Sequence, residues 1–127
     1  MNRITAKEIS DYIETHSIEL FPTQQSLCIP IINRLYQKMI NGLTFDDIKV
    51  YNDLVIDGHH RYFSSLLANK NIGRVETHRT SATVKYQWHA VNFTDAEWDT
   101  EAKIKKLNED DAAFNNILLS SLLEMTK

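Results

Sequence analysis

Apolar positions fall at i, i+3 and i+4 spacing over several stretches of the chain and alternate over a few short ones. The pattern predicts helices arranged around short strands. Ile9, Tyr12 and Ile13 share one face of a helix over residues 6–16. Thr5 and Glu8 precede that face with the spacing of a capping box. Residues 17–29 carry no settled period, and Pro22 acts as a breaker among them. Pro30 suits a first helical turn, after which Ile31, Ile32, Leu35, Tyr36, Met39 and Ile40 form a strong stripe. Asn41-Gly42 ends it, glycine being the natural left-handed stop. Ile48 to Tyr51 and Leu54 to Ile56 read as two strands around the tight turn Asn52-Asp53. Gly58 breaks the second strand. Phe63, Leu66 and Leu67 are the buried stripe of the next helix, over 59–69, closed by Asn69-Lys70-Asn71.

In the second half, Arg74 to Thr80 alternate loosely and predict a strand. Residues 83–93, rich in β-branched and aromatic types, predict the best strand of this half. Thr94 and Glu97 repeat the capping-box spacing and predict a helix over 95–107, with a last helix over 109–125 carrying Phe114, Ile117, Leu118, Leu122 and Met125. Residues 114–125 either close the core or form a partner-binding face. No repeat, low-complexity tract or linker interrupts the chain. The expectation is a single α+β domain over 1–127, a short mixed sheet flanked by helices, with extra helices at both termini.

Composition narrows this picture little. A chain of 127 residues with 43% hydrophobic and 24% charged residues is an ordinary globular one. Its net charge of −3 argues against bulk binding to duplex DNA, which favours basic proteins. Cys28 stands alone in an apolar run, so no internal disulfide is expected and a buried structural thiol is. The N-terminus is amphipathic, and no apolar run approaches the roughly 20 residues of a membrane span. A cytoplasmic protein without a membrane partner is the expectation; oligomeric state is not legible.

The chemistry concentrates in residues 54–61, LVIDGHHR. An apolar strand ends at Asp57, turns at Gly58, and delivers His59, His60 and Arg61 onto a first helical turn. A helix start offers free amides and partial positive charge, which together attract anions. Gly58 permits close backbone approach, and Arg61 can grip phosphate with a planar fork. His59 and His60 can donate to phosphate oxygens or move protons near neutral pH. Asp57 can hold a magnesium ion, orient a histidine or accept a proton.

The stretch IDGHHRYFSSLLA resembles the signature of the ParB/sulfiredoxin-like superfamily, and the likeness covers residues 30–79, with 56–62 its specific part. The DGHHR form is most similar to the free-serine-kinase-like branch. The resemblance implies nucleotide-phosphate binding by Gly58, His59, His60 and Arg61, with ATP or CTP and Mg²⁺ as cofactors, Asp57 serving the metal. It implies phosphoryl transfer or nucleotide hydrolysis, with Asp57, His59 and His60 at the reacting end. The upstream glutamate base of the serine kinases has Glu19 as its candidate, while Gln24 occupies an alternative position. Sulfinic-acid reduction is not expected, since His59 stands where sulfiredoxins place a cysteine.

Two other readings stay open. His78 and His89 could join His59 or His60 in a metal site, giving a nuclease of the histidine-rich kind found in bacterial toxins, with nucleic acid as substrate. A nucleotide-dependent adapter, resembling the partition-protein clamp without its DNA-reading half, is the non-enzymatic alternative. Arg74, His78, Arg79 and Lys85 could add a basic floor beside Arg61. Trp88, Phe93 and Trp98 are aromatics that could stack on a base, although their positions favour the core.

Overall fold

A computed structural model describes residues 3–127 as a mixed α+β fold. Helix α1 (Ala6–Thr15) starts where the Thr5 hydroxyl accepts the Glu8 amide at 3.2 Å, and it buries Ile9. Strand β1 (Phe21–Pro22) and strand β2 (Ser26–Cys28) occupy the stretch around Pro22 whose period was unsettled. Helix α2 (Ile29–Ile40) carries Pro30 in its first turn and stops at Asn41, before Gly42 in the left-handed region. Strands β3 (Ile48–Tyr51) and β4 (Leu54–Asp57) form the expected hairpin, with Asn52 at φ 52° in its turn. Helix α3 (His59–Leu67) follows directly.

The second half departs from expectation. Strand β5 covers only Arg74–Glu76. Residues 83–93 do not form one strand: Trp88–Ala90 form a 3₁₀ turn, and only the end of the stretch joins β6 (Asn92–Thr94). Burial of the Trp88 indole overrides local β preference there. The ring is 4% exposed and its Nε1 donates to the Leu20 carbonyl at 2.8 Å. The Thr94–Glu97 spacing does not open a helix. The Thr94 hydroxyl accepts the Ala96 amide in a local turn, while Glu97 pairs with Arg34. Helix α4 (Glu101–Phe114) begins instead at Thr100, whose hydroxyl accepts the Lys103 amide at 3.1 Å. A break at Asn115-Asn116 separates it from α5 (Leu119–Met125), dividing the span over which one last helix was expected.

The main sheet has the order β1-β4-β3-β5, with β4 parallel to β1 and antiparallel to β3, and β3 parallel to β5. β2 pairs in parallel with β6 as a separate ribbon. Ile9, Leu27, Ile32, Ile48, Val55, Phe63 and Trp88 join in one core between this sheet, α1, α2 and α3. Each fully buried side chain of this size contributes roughly 1.5–3 kcal/mol. The C-terminal helices do not close that core. They bury Ala112 and Leu122 with Leu43 in a second cluster against the end of α2, and Phe114, Leu118 and Leu123 remain exposed. Among the described residues no helix is long and apolar enough to cross a membrane.

Candidate functional site

The strand–glycine–helix junction is built as the sequence predicts. Asp57 ends β4, Gly58 takes φ +95°, and α3 opens at His59 with no side chain capping it. A Cβ at Gly58 would lie 2.7 Å from Ile48 Cγ2 and 2.8 Å from the Arg61 guanidinium, so the bend admits only glycine. The junction opens into a cavity of about 480 Å³, within the range of small-molecule sites. Asp57, Gly58, His59, His60 and Arg61 all line it.

The two histidines hold backbone as well as lining space. The Thr23 amide donates to His59 Nε2 at 2.9 Å, and the Cys28 amide donates to His60 Nε2 at 2.9 Å. A backbone amide is only a donor, so both Nε2 atoms must be unprotonated acceptors and the neutral rings carry their proton on Nδ1. Burial pushes both imidazoles down to about 4. For His59 the neighbouring His60 adds to the effect and Asp57 opposes it; for His60 Asp99 opposes it and Arg34 adds to it. Arg61 is tethered by Nη2 to the Asp47 carbonyl at 3.2 Å, while its buried Nε has no hydrogen-bond partner among the described residues. The carboxylate of Asp57 makes no hydrogen bond or ion pair among the described residues.

The opposite wall comes from α2 and α4. Ile31, Arg34, Leu35 and Lys38 stand at helical spacing on one face of α2, and Lys103, Ile104, Leu107, Asn108 and Asp111 on one face of α4. Their charges are paired internally. Lys38 Nζ lies 2.7 Å from Asp111 with its side chain 5% exposed, and Asp99 meets Arg34 at 3.2 Å and Lys103 at 3.1 Å. Trp98, expected in the core, is 45% exposed and lines the cavity edge-on to His60, ring centroids 5.4 Å apart.

Other sequence candidates lie elsewhere. Glu19 is exposed, pairs with Arg74 at 2.9 Å, and does not line the cavity, so the structure does not bring it to Asp57–Arg61. Gln24 does line it, with its amide donating to the Ser26 carbonyl. His78 is exposed, and His89 lies by α1, so neither joins His59 or His60. The expected basic floor disperses: Arg74 is taken by Glu19, and Lys85 by Asp53 and the Phe21 ring. Cys28 is buried, its thiol donating to the Ala96 carbonyl.

Reading the sequence alone missed Arg34, Lys38, Asp99, Lys103 and Asp111. The legible signal was two cations four apart, flanking the apolar stripe of α2 on one helical face. Their carboxylate partners lie 63 to 73 positions downstream of them, beyond the reach of any local pattern.

Magnesium binds well to one or two carboxylates completed by phosphate oxygens and water. Among the described residues no group of three or more His, Cys, Asp or Glu is disposed to hold a metal alone. The unpaired Asp57 carboxylate therefore fits a magnesium ion that arrives with phosphate, and not a free-standing metal cage. Set against known proteins, the chain matches no family model, no curated protein and no solved structure.

Proposed function

We propose that this chain is a nucleotide-phosphate-binding protein of the ParB/sulfiredoxin-like kind, using Mg²⁺ in phosphoryl transfer or nucleotide hydrolysis. One observation carries the reading: α3 opens without a side-chain cap at Gly58, on a cavity that also presents Arg61, Arg34 and Lys38. The first-turn amides of His59, His60 and Arg61 supply hydrogen-bond donors and the positive end of the helix dipole. The orphaned Arg61 Nε is a further buried donor awaiting an acceptor. His59 and His60, neutral with their proton on Nδ1, serve as donors and not as bases. Bound magnesium would be held by Asp57 and would offset phosphate charge, the main demand of phosphoryl-transfer catalysis.

The anion enters a site whose cations already have partners. Phosphate oxygens would replace Asp111 at Lys38 and Asp99 at Arg34, so binding is an exchange of ion pairs and discriminates against weakly charged ligands.

A binding-only adapter is the second reading, and one observation favours it. Glu19 is engaged by Arg74 away from the cavity, and a carboxamide, Gln24, lines the wall, so no free carboxylate beyond Asp57 stands ready as a base. The nuclease reading has less support, since its histidines are dispersed. The lone buried thiol suits a reducing, cytoplasmic setting.

A thermal-shift screen of ATP, ADP, CTP and GTP with and without Mg²⁺, repeated on Arg61→Ala, tests the proposal. At least one nucleotide should raise Tm, more so with Mg²⁺, and Arg61→Ala should diminish the shift. No shift, or an undiminished one in the variant, overturns it. Phosphate release from the nucleotide that binds then separates enzyme from adapter.

A further inference from the structure

The cavity carries two kinds of lining. Asp57 to Arg61 are polar and rich in donors, while Trp98, packed beside His60, and Ile104 and Leu107 of α4 add apolar surface. Inorganic phosphate or a polyphosphate would satisfy the first and leave the second uncovered. A ligand with charge at one end and a flat π-face at the other matches both.

Trp98 is the residue placed to meet that face. Its indole is 45% exposed, whereas the other tryptophan, Trp88, is 4% exposed and hydrogen-bonded into the core. The two rings of the Trp98–His60 pair are nearly perpendicular, at 88°, so the contact with His60 does not stack the indole face to face. His60 itself is fixed by the Cys28 amide and lies in the first turn of the helix whose amides would take phosphate. Trp98 is thereby held, through that ring, beside the anion-binding groups. Asp99, next in the chain and 5% exposed at its side chain, bonds Arg34 and Lys103 and anchors the segment that carries the indole.

We infer that Trp98 is the base-contacting residue of this site, stacking the aromatic ring of a nucleotide whose phosphates lie at the start of α3. This rests on the phosphate reading above and adds the ligand's other half: a nucleotide, as opposed to a bare phosphoanion. Stacking is tolerant of base identity, so Trp98 selects for a base without choosing among bases.

The test measures binding by calorimetry, with MgATP and magnesium tripolyphosphate as probes, on the wild type, Trp98→Ala and Trp98→Phe. Wild type should bind ATP more tightly than tripolyphosphate. Trp98→Ala should lose about tenfold in ATP affinity with tripolyphosphate affinity unchanged, and Trp98→Phe should recover most of the loss. In the wild type, ATP should also quench the exposed Trp98 emission, a change absent from Trp98→Phe. Undiminished ATP binding by Trp98→Ala overturns the stacking role while leaving phosphate binding standing, and equal losses for both probes reduce Trp98 to a structural part. Failure of wild type to bind either probe overturns the phosphate reading and this inference together.

Discussion

His60 Nε2 accepts the backbone amide of Cys28 at 2.9 Å, so an imidazole at the start of α3 holds the residue that caps α2. His59 does the same for Thr23, in the segment between β1 and β2. The histidines thus belong to the frame of the site as well as to its surface, and changing them disturbs both.

This relationship gives stability a defined pH dependence. Both rings titrate near 4 when folded and near 6.5 when unfolded, so between those values the unfolded chain binds more protons. Stability is therefore complete above about pH 6.5 and falls as acid approaches 4, by roughly 2–3 kcal/mol for each ring. Urea unfolding at intervals from pH 7.5 to 5 should show the decline, and His60→Asn should make it shallower. The same variant should be less stable at pH 7 by about 1–3 kcal/mol, because the buried Cys28 amide loses a well-placed acceptor. A flat profile in the wild type would contradict the buried neutral rings.

Gly58→Ala should cost about 1–3 kcal/mol, since φ +95° is strained for alanine and the methyl meets Ile48 and Arg61. Ile48 is fully buried and cannot yield, so the Arg61 guanidinium must move. Chemical denaturation should register the loss of stability, and calorimetry a weaker nucleotide affinity. A variant with native stability would mean that the bend is less constrained than its geometry requires.

Asp111→Asn should move stability and affinity in opposite directions. Removing the carboxylate leaves the nearly buried Lys38 ammonium without its partner, a loss of up to about 3 kcal/mol. The same change frees Lys38 for phosphate, so MgATP should bind more tightly than to the wild type. Unaltered affinity in the folded variant would remove Lys38 from the binding site.

Asp57→Asn should abolish the increment that Mg²⁺ adds to nucleotide affinity and leave metal-free binding in place or stronger. Titrations with and without Mg²⁺ read this directly. A magnesium increment that survives would place the metal on other donors.

Local patterns made the first half of the fold legible. The α2 stripe, the Asn52-Asp53 turn and the Gly58 break each depend on neighbours within a few residues, and each is where periodicity and turn chemistry put it. The second half was less legible because distant contacts decide it. Trp88 is buried against distant core residues with its N–H satisfied by the Leu20 carbonyl, and Glu97 is taken from a capping role by Arg34. The candidate site divides the same way. Asp57 to Arg61 share a junction visible in eight consecutive letters, whereas Trp98 lies just before α4 and half of the facing wall on it, a helix whose start the sequence pattern misplaced.

The central claim is that the first turn of α3 takes phosphate on its backbone amides. Amide ¹H–¹⁵N spectra recorded during a MgATP titration test it most directly. His59, His60 and Arg61 should show the largest shifts, with Gly58 close behind and the exposed residues His78 and Val84 unmoved. Saturable binding that leaves those three amides in place, with the shifts clustered elsewhere, would contradict it.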